Sequence, residues 1–440
     1  MNSKYLPLTV ALLLLGVSVP SQAFDLVAAW QAARNYNADF AASRAQHEAD
    51  QEKRVQGRAQ LLPQASVTGT YGYNNPIQPA NVLGANAQRR YESHGYSVGV
   101  QQPLFDMGKY AGYQKGKIGT ELGDTNYDAA EQQLILDIAQ AYFNVLRARD
   151  TLEATRASKK TFLNQLQQAK TAFEVGTATI TDTNEAQAGY DGAVAQEISD
   201  ANNLELAEHN LSRLTGLDPA GIQSVRDKLP LDPPKPAGLD EWIALALHNS
   251  LDIKSSEQKL QLAEQTVLEK QGNRLPVVSL SAGYSDSLSN QSGTYPHTRG
   301  SNIGVTVTVP LFAGGGINSQ VREAVAQRDA ASDQLEAKRR QVKEDVRKAY
   351  LGVTNGAALV RAQQQLLISA KSKVDSTRLG KEVGIRTNLD LLQAEQAYYS
   401  TLTTLANAKY NYLTARLALA QSAGQLEPKV LTDVNQLIVH

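Results

Sequence analysis

Cysteine is absent from all 440 residues, which excludes disulfides, thiolate catalysis and an N-terminal lipid-modified cysteine. Beyond the first 23 residues there is no apolar run long enough to cross a membrane as a helix. Entry into a bilayer would therefore require strands, closed so that every backbone group is paired. The histidines (His47, His94, His209, His248, His297 and His440) are scattered without metal-ligand spacing. No catalytic constellation can be assembled, so the sequence points to a non-enzyme with no cofactor and no metal site. An excess of one charge is also missing. The net charge is −1 with acids and bases interspersed, which leaves no basic stripe for nucleic acid.

Residues 1–23 have the makings of an export leader. Lys4 supplies positive charge, Leu6 to Val19 an apolar core, and Ser21-Gln22-Ala23 a small-x-small cleavage site. An exported chain of bacterial style resides in the periplasm, the outer membrane or outside the cell.

The remainder repeats itself. Leu62-Pro63 returns as Leu275-Pro276, Pro103-Leu104-Phe105 as Pro310-Leu311-Phe312, and Glu174-Val175-Gly176 as Glu382-Val383-Gly384. An internal duplication of this size predicts one architecture used twice. The spacing predicts a first repeat over 24–229, a proline-rich linker over 230–238, a second repeat over 239–426 and a C-terminal tail over 427–440.

Within the first repeat, 24–60 is rich in helix formers and poor in breakers, which predicts one helix ended by Leu62-Pro63. Val67, Gly69, Tyr71 and Tyr73 alternate with small polar residues, and Tyr96, Val98 and Val100 do the same. This period of two predicts strands with one apolar and one polar face. An Asn-, Pro- and Gly-rich loop from Asn74 to about Ser93 joins them. The second strand closes at Pro103 and a helix over 107–173 follows. Its seam, from Leu134 and Ile138 through Val145, Leu152, Thr155, Lys159 and Phe162 to Phe173, steps by four and three as coiled coils do. Val175-Gly176 breaks that helix, and Thr181-Asp182 opens the next.

The second repeat predicts a helix over 239–274, strands around Tyr284 and Val305, a long helix over 317–383, a turn at Val383-Gly384 and a last helix from Thr387. The proline motifs at Pro103 and Pro310 mark strand-to-helix junctions. Gly314-Gly315-Gly316 lacks the Lys-Ser/Thr of a phosphate loop, so it is read as a sharp turn into the helix. Each long helix, at about 67 residues, would span ~100 Å. Stacked end to end, each pair of shorter helices matches one long helix.

The fold class is therefore mainly α with a small β part: a duplicated helical barrel and four strands per chain. Four strands are too few to close, because the smallest membrane barrels have about eight. Further copies of the chain must complete the barrel. The alternative is a periplasmic coiled-coil spacer or adaptor carrying a soluble β domain. The acids after each helix turn, Asp182 and Asp390, fit either simple capping, as in Thr387-Asn388-Leu389-Asp390, or a pore function.

Three segments carry a resemblance: Phe173-Glu-Val-Gly-Thr-Ala-Thr-Ile-Thr-Asp182, Val383-Gly-Ile-Arg-Thr-Asn-Leu-Asp390 and Ser301-Asn-Ile-Gly-Val-Thr-Val-Thr-Val-Pro-Leu-Phe312. Together, in order and in both halves, they resemble TolC-type outer-membrane channel proteins. The resemblance implies a homotrimer with a twelve-stranded β-barrel in outer-membrane lipid and a helical barrel crossing the periplasm. It implies an exit duct for tripartite efflux or type I secretion, working with a periplasmic adaptor and an inner-membrane transporter that is ABC-type or proton-driven. By position, Thr181 and Asp182 would face Arg386 in a gate, and Asp390 would form an acidic ring at the constriction. Val175, Gly176, Val383 and Gly384 would be the tips that meet the adaptor. Gln393 stands where family members carry a second acid, and Lys381 where they carry a tyrosine, which implies a weaker ring and a rearranged gate.

Overall fold

Asn37 divides what the sequence predicts as one helix. The computed structural model describes residues 24–75, 90–226, 229–289 and 297–438; the expected leader and most of the loop after Asn74 lie outside them. Between Phe24 and Gln60 run two helices, α1 (Leu26–Tyr36) and α2 (Ala38–Ala59). Asn37 between them is extended, and its side-chain oxygen accepts the Phe40 N–H at 2.9 Å. The correction has a simple cause. A single Asn costs little helix propensity, yet it is a strong N-cap when the chain has reason to bend. Ser250, extended but with no capping bond from its side chain, divides the expected 239–274 helix into α5 (Leu239–Asn249) and α6 (Leu251–Gly272).

The strands are β1 (Gln64–Asn74), β2 (Tyr91–Phe105), β3 (Val277–Ser289) and β4 (His297–Thr308). They form one antiparallel sheet in the order β1-β2-β3-β4. The register aligns Val67, Val98 and Tyr284, and beside them Ala282 with Ile303, so the apolar residues share one face. On β2 that face is the exposed one, while Ser97 and Gly99 on the other are half-buried. One expectation is corrected here. β2 continues past Pro103 to Phe105, with a register slip between those two residues. A bulge accommodates the missing proline donor. Pro310, in contrast, does lie between strand and helix.

The long helices are α3 (Met107–Glu174) and α7 (Gly316–Glu382), of 68 and 67 residues. Hairpin partners α4 (Ile180–Thr215) and α8 (Asn388–Ser422) follow them. Towards the sheet α3 packs on α2 and α6; away from it, on α4 and α8. α7 packs on α6 and α8. Continuous helices thus alternate with jointed pairs. Much of the α3 seam is buried, including Leu134, Ile138, Val145, Leu152 and Phe162, while Lys159 is half-buried and Phe173 exposed. Gly314 and Gly315 take φ of 59° and 83°, left-handed values that turn the chain into α7 at little steric cost.

A belt wraps the middle. The segment after 427 is not merely a tail: it contains α9 (Pro428–Asn435), with Leu431, Val434 and Ile438 buried. Asn435 accepts the Leu26 N–H at 2.9 Å and donates to Asp25 at 2.6 Å, which fixes the start of α1. The proline-rich linker is pinned as well. Trp242 Nε1 donates to the Pro236 carbonyl at 2.7 Å, and the Tyr350 hydroxyl to that of Ala237 at 2.5 Å.

Candidate functional site at the helical tips

Both hairpin turns are built alike. After α3, Gly176 takes φ +76° and donates to the Phe173 carbonyl at 2.9 Å, while Thr177 donates to Ala172 at 2.8 Å. After α7, Gly384 takes φ +78° and donates to Lys381 at 3.1 Å, while Ile385 donates to Gly380 at 2.9 Å. These paired bonds satisfy the last carbonyls of each long helix and need a left-handed residue at the turn. Val175 and Val383 are 68% and 64% exposed beside the two glycines, so each tip carries an apolar knob.

Reciprocal capping boxes start the return helices. Thr387 and Asp390 exchange backbone-to-side-chain bonds at 2.9 and 3.1 Å. In the first hairpin the cap is Thr179, not Thr181: Thr179 N–H donates to Asp182 at 2.9 Å, and Asp182 N–H to Thr179 Oγ1 at 3.2 Å. Thr181 is exposed in the first turn. Thr-x-x-Asp fits Thr179 and Asp182 as well as it fits Thr387 and Asp390, and that spacing would have identified the cap from sequence. The Thr179 hydroxyl and N–H hold the Asp182 carboxyl below its ordinary value, with Lys381 adding to the effect. The Thr387 N–H and hydroxyl lower Asp390 in the same way, with Arg386 and Lys373 assisting.

Within one chain, no ion pair joins Asp182 to Arg386 among the described residues. The Arg386 stem instead lies over Gly380, where an added Cβ would come within 2.7 Å of its Cγ. Lys381, which replaces the expected tyrosine, is half-buried and donates to Asn388 Oδ1 at 2.7 Å, tying α7 to α8. Burial lowers its pKa, against the pull of Glu395 and Asp182. Gln393 is exposed, on the same helix as half-buried Asp390.

Glu395 is a further polar centre that no sequence motif marks. Only 3% exposed, it receives Arg378 Nη2 of α7 at 3.1 Å and a short bond from Gln165 Nε2 of α3. Farther along the same α3–α8 seam, Thr161 meets Tyr399 at 2.7 Å and Tyr410 donates to Asp150 at 2.7 Å. The seams inside the hairpins are apolar there: Leu166, Ala169 and Ala186 in one, Val374, Leu391 and Ala394 in the other. Near the tips apolar seams thus combine with polar ties, both within a hairpin, as at Lys381 and Asn388, and between hairpins, as at Gln165 and Glu395. One signal was available: Glu395 falls four residues after Leu391, in a register that is otherwise apolar.

A family model described as outer membrane efflux protein matches residues 29–217 and 242–425. The chain is 32% identical to Outer membrane protein TolC of Escherichia coli (strain K12), over 99% of this chain and 89% of that one. It is 33% identical to Alkaline protease secretion protein AprF of Pseudomonas aeruginosa, over 92% and 85% of the two chains. Its fold is similar to the crystal structure of the outer membrane protein VceC from Vibrio cholerae, with a TM-score of 0.79 at 18% identity, covering 91% of this chain and 97% of that one.

Proposed function

Because the chain belongs to the outer membrane efflux protein family, and so forms a non-enzymatic outer-membrane exit duct for efflux or type I secretion, we propose that three copies close one duct that is gated at the helical tips. The observation that carries the closure is the open sheet. β1 and β4 each have an unpaired edge in one chain, and β4 is exposed throughout. Backbone groups left unpaired in hydrocarbon cost several kcal/mol each. Pairing β4 of one copy with β1 of the next satisfies both edges and yields twelve strands from three chains. The exposed α7 residues Leu359, Leu366 and Ile368 and the exposed α4 residues Ile198 and Leu206 meet across the same boundaries.

At the far end, Asp182 of one copy and Arg386 of its neighbour pair across the subunit boundary, since neither side chain is paired with the other within a chain. Asp390 from three copies forms the narrow acidic ring, with Gln393 beside it. Val175, Gly176, Val383 and Gly384 receive a periplasmic adaptor, which links the duct to an inner-membrane transporter. Native mass spectrometry in detergent together with planar-bilayer recording tests this. A trimer with steady ion conductance is expected; a folded monomer or dimer as the only species, or a trimer that conducts nothing, refutes it.

A further inference from the structure

Asp286 stands where a carboxylate is costly. Along β3 the residues Val278, Leu280, Ala282, Tyr284 and Asp286 point to one face by period two, the face that meets lipid in the closed barrel. The register places Tyr96 of β2 and Arg299 of β4 on either side of Asp286. Arg299 Nε lies 3.1 Å from Oδ2, His297 Nε2 is in close contact with Oδ1, and the Tyr96 hydroxyl lies 3.4 Å from Oδ2. The acid is hidden beneath its partners: its side chain is 11% exposed, against 40% for His297 and 61% for Arg299.

The height of this cluster is informative. From just past the end of β4 and back along it, the positions of the lipid face are Val309, Val307, Val305 and Ile303, followed by Ser301, Arg299 and His297. Ten residue steps from Val309 to Arg299, at ~3.3 Å each and ~40° of tilt, rise ~25 Å, the height of the apolar band of such barrels. Arg299 and His297 therefore stand at the outer edge of the hydrocarbon, on the hairpin side away from the periplasmic helices. An independent marker agrees. Tyr71 lies in the row of His297 and Tyr96 in that of Arg299, with Tyr73 and Tyr284 one row to either side, and all four are exposed, which makes them an interfacial aromatic girdle.

We propose that His297 and Arg299, held in place by Asp286, form on each subunit a docking surface for the phosphate of an outer-leaflet lipid headgroup. This rests on the barrel proposed above. The chemistry fits the level: a guanidinium offers a planar fork of donors to phosphate oxygens, and charge-assisted bonds of that kind are strong at a poorly hydrated boundary. Asp286 holds Arg299 along the strand through Nε, so less side-chain freedom is lost when a headgroup arrives.

The test uses the full-length trimer in detergent, titrated with diphosphorylated lipid A and read by native mass spectrometry. The wild type is expected to retain the lipid. The H297Q/R299Q trimer should bind at least tenfold more weakly, and R299K should fall between. Inorganic phosphate should not displace the lipid, and monophosphoryl lipid A should bind less tightly. Equal retention by the wild type and the double variant overturns the proposal, as does displacement by inorganic phosphate, which would reveal a simple anion site. If the double variant yields no trimer, R299K decides: unchanged lipid binding with reduced heat resistance would make the cluster only a strand fastener. Bilayer recording of the same samples separates the two proposals. A conducting trimer with unaltered lipid binding fails this inference alone, whereas a non-conducting trimer fails the duct.

Discussion

Arg378 of α7 and Glu395 of α8 meet at 3.1 Å, and the carboxylate is 3% exposed while the guanidinium side chain is 53% exposed. The acid is thus committed to the protein interior and its cation is not. Burial raises the Glu395 pKa, with Arg378, Lys381 and Gln165 pulling the other way. A raised carboxyl pKa means that the folded protein holds a proton the unfolded chain has already lost. Its effect on stability is therefore most favourable at low pH and worsens as pH rises through the folded value.

Glu395→Gln should accordingly leave the tip as stable as the wild type at neutral pH and flatten the pH dependence of melting. It removes the buried charge and keeps a hydrogen-bonding side chain for Gln165. Glu395→Ala leaves Gln165 without its partner, which costs about 1–3 kcal/mol. Thermal unfolding between pH 4 and 8 checks both variants; equal losses in the two would mean that the ion pair, not the buried hydrogen bond, holds this seam.

The caps respond in the opposite sense. Hydrogen bonds from Thr179 and Thr387 depress Asp182 and Asp390. Their contribution is present above the ordinary carboxylate range and is lost as pH falls through the lowered values. Thr179→Ala should cost about 0.5–2 kcal/mol of local stability, as loss of an N-cap does, and should speed amide exchange in the first turn of α4. Unchanged exchange there would mean that the box is not needed to start the helix.

Much of this architecture was legible in the sequence, because duplication and periodicity are properties of the chain itself. Alternation at Val67 to Tyr73 and Tyr96 to Val100 placed strands that are present, and the two glycine turns fell where Val175 and Val383 ended long helices. What was illegible depended on neighbours. Asn37 and Ser250 end α1 and α5, which pack on α3 and α7, and no local pattern records that packing. Pro103 stays in β2 because β3 beside it tolerates a bulge. Lys381 was legible only as a departure from a tyrosine, and folding brings its ammonium to Asn388 and within reach of the Asp182 and Glu395 charges. The site at Glu395 was missed because a single acid in an apolar register looks like solvent-facing noise until the third helix is in place.

Gly384 supplies a backbone test of the tip. Its φ of +78° is left-handed, and an added Cβ would meet nothing within 4 Å. Gly384→Ala therefore has room but carries strain, about 1–2 kcal/mol for a non-glycine residue in that region. Gly384→Trp adds bulk at the surface proposed for the adaptor. It should abolish export while the folded trimer remains in the membrane. Normal export by the tryptophan variant, or loss of the trimer, would count against an adaptor site.

The gate yields the last prediction. An Asp182–Arg386 pair across a subunit boundary would be partly solvated and worth about 0–1 kcal/mol. Repeated by threefold symmetry, contacts of that size hold a tip closed and still let a docked partner open it. Arg386 is exposed, with its stem on Gly380 and its backbone N–H bonded to the Gly380 carbonyl, so Arg386→Ser should free the tip without disturbing either hairpin. Single-channel conductance should rise. Asp390 differs, since its carboxylate already caps α8 through Thr387. Asp390→Asn retains an acceptor for that cap but removes the charge, which in a narrow ring concentrates negative potential and favours cations. It should lower cation selectivity, seen as a shift in reversal potential under a salt gradient, with the trimer intact. Because Gln393 contributes no second ring of charge, the shift should approach complete loss of selectivity from this one substitution. Unaltered conductance in Arg386→Ser and unaltered reversal potential in Asp390→Asn would leave both residues as parts of a helix turn and nothing more.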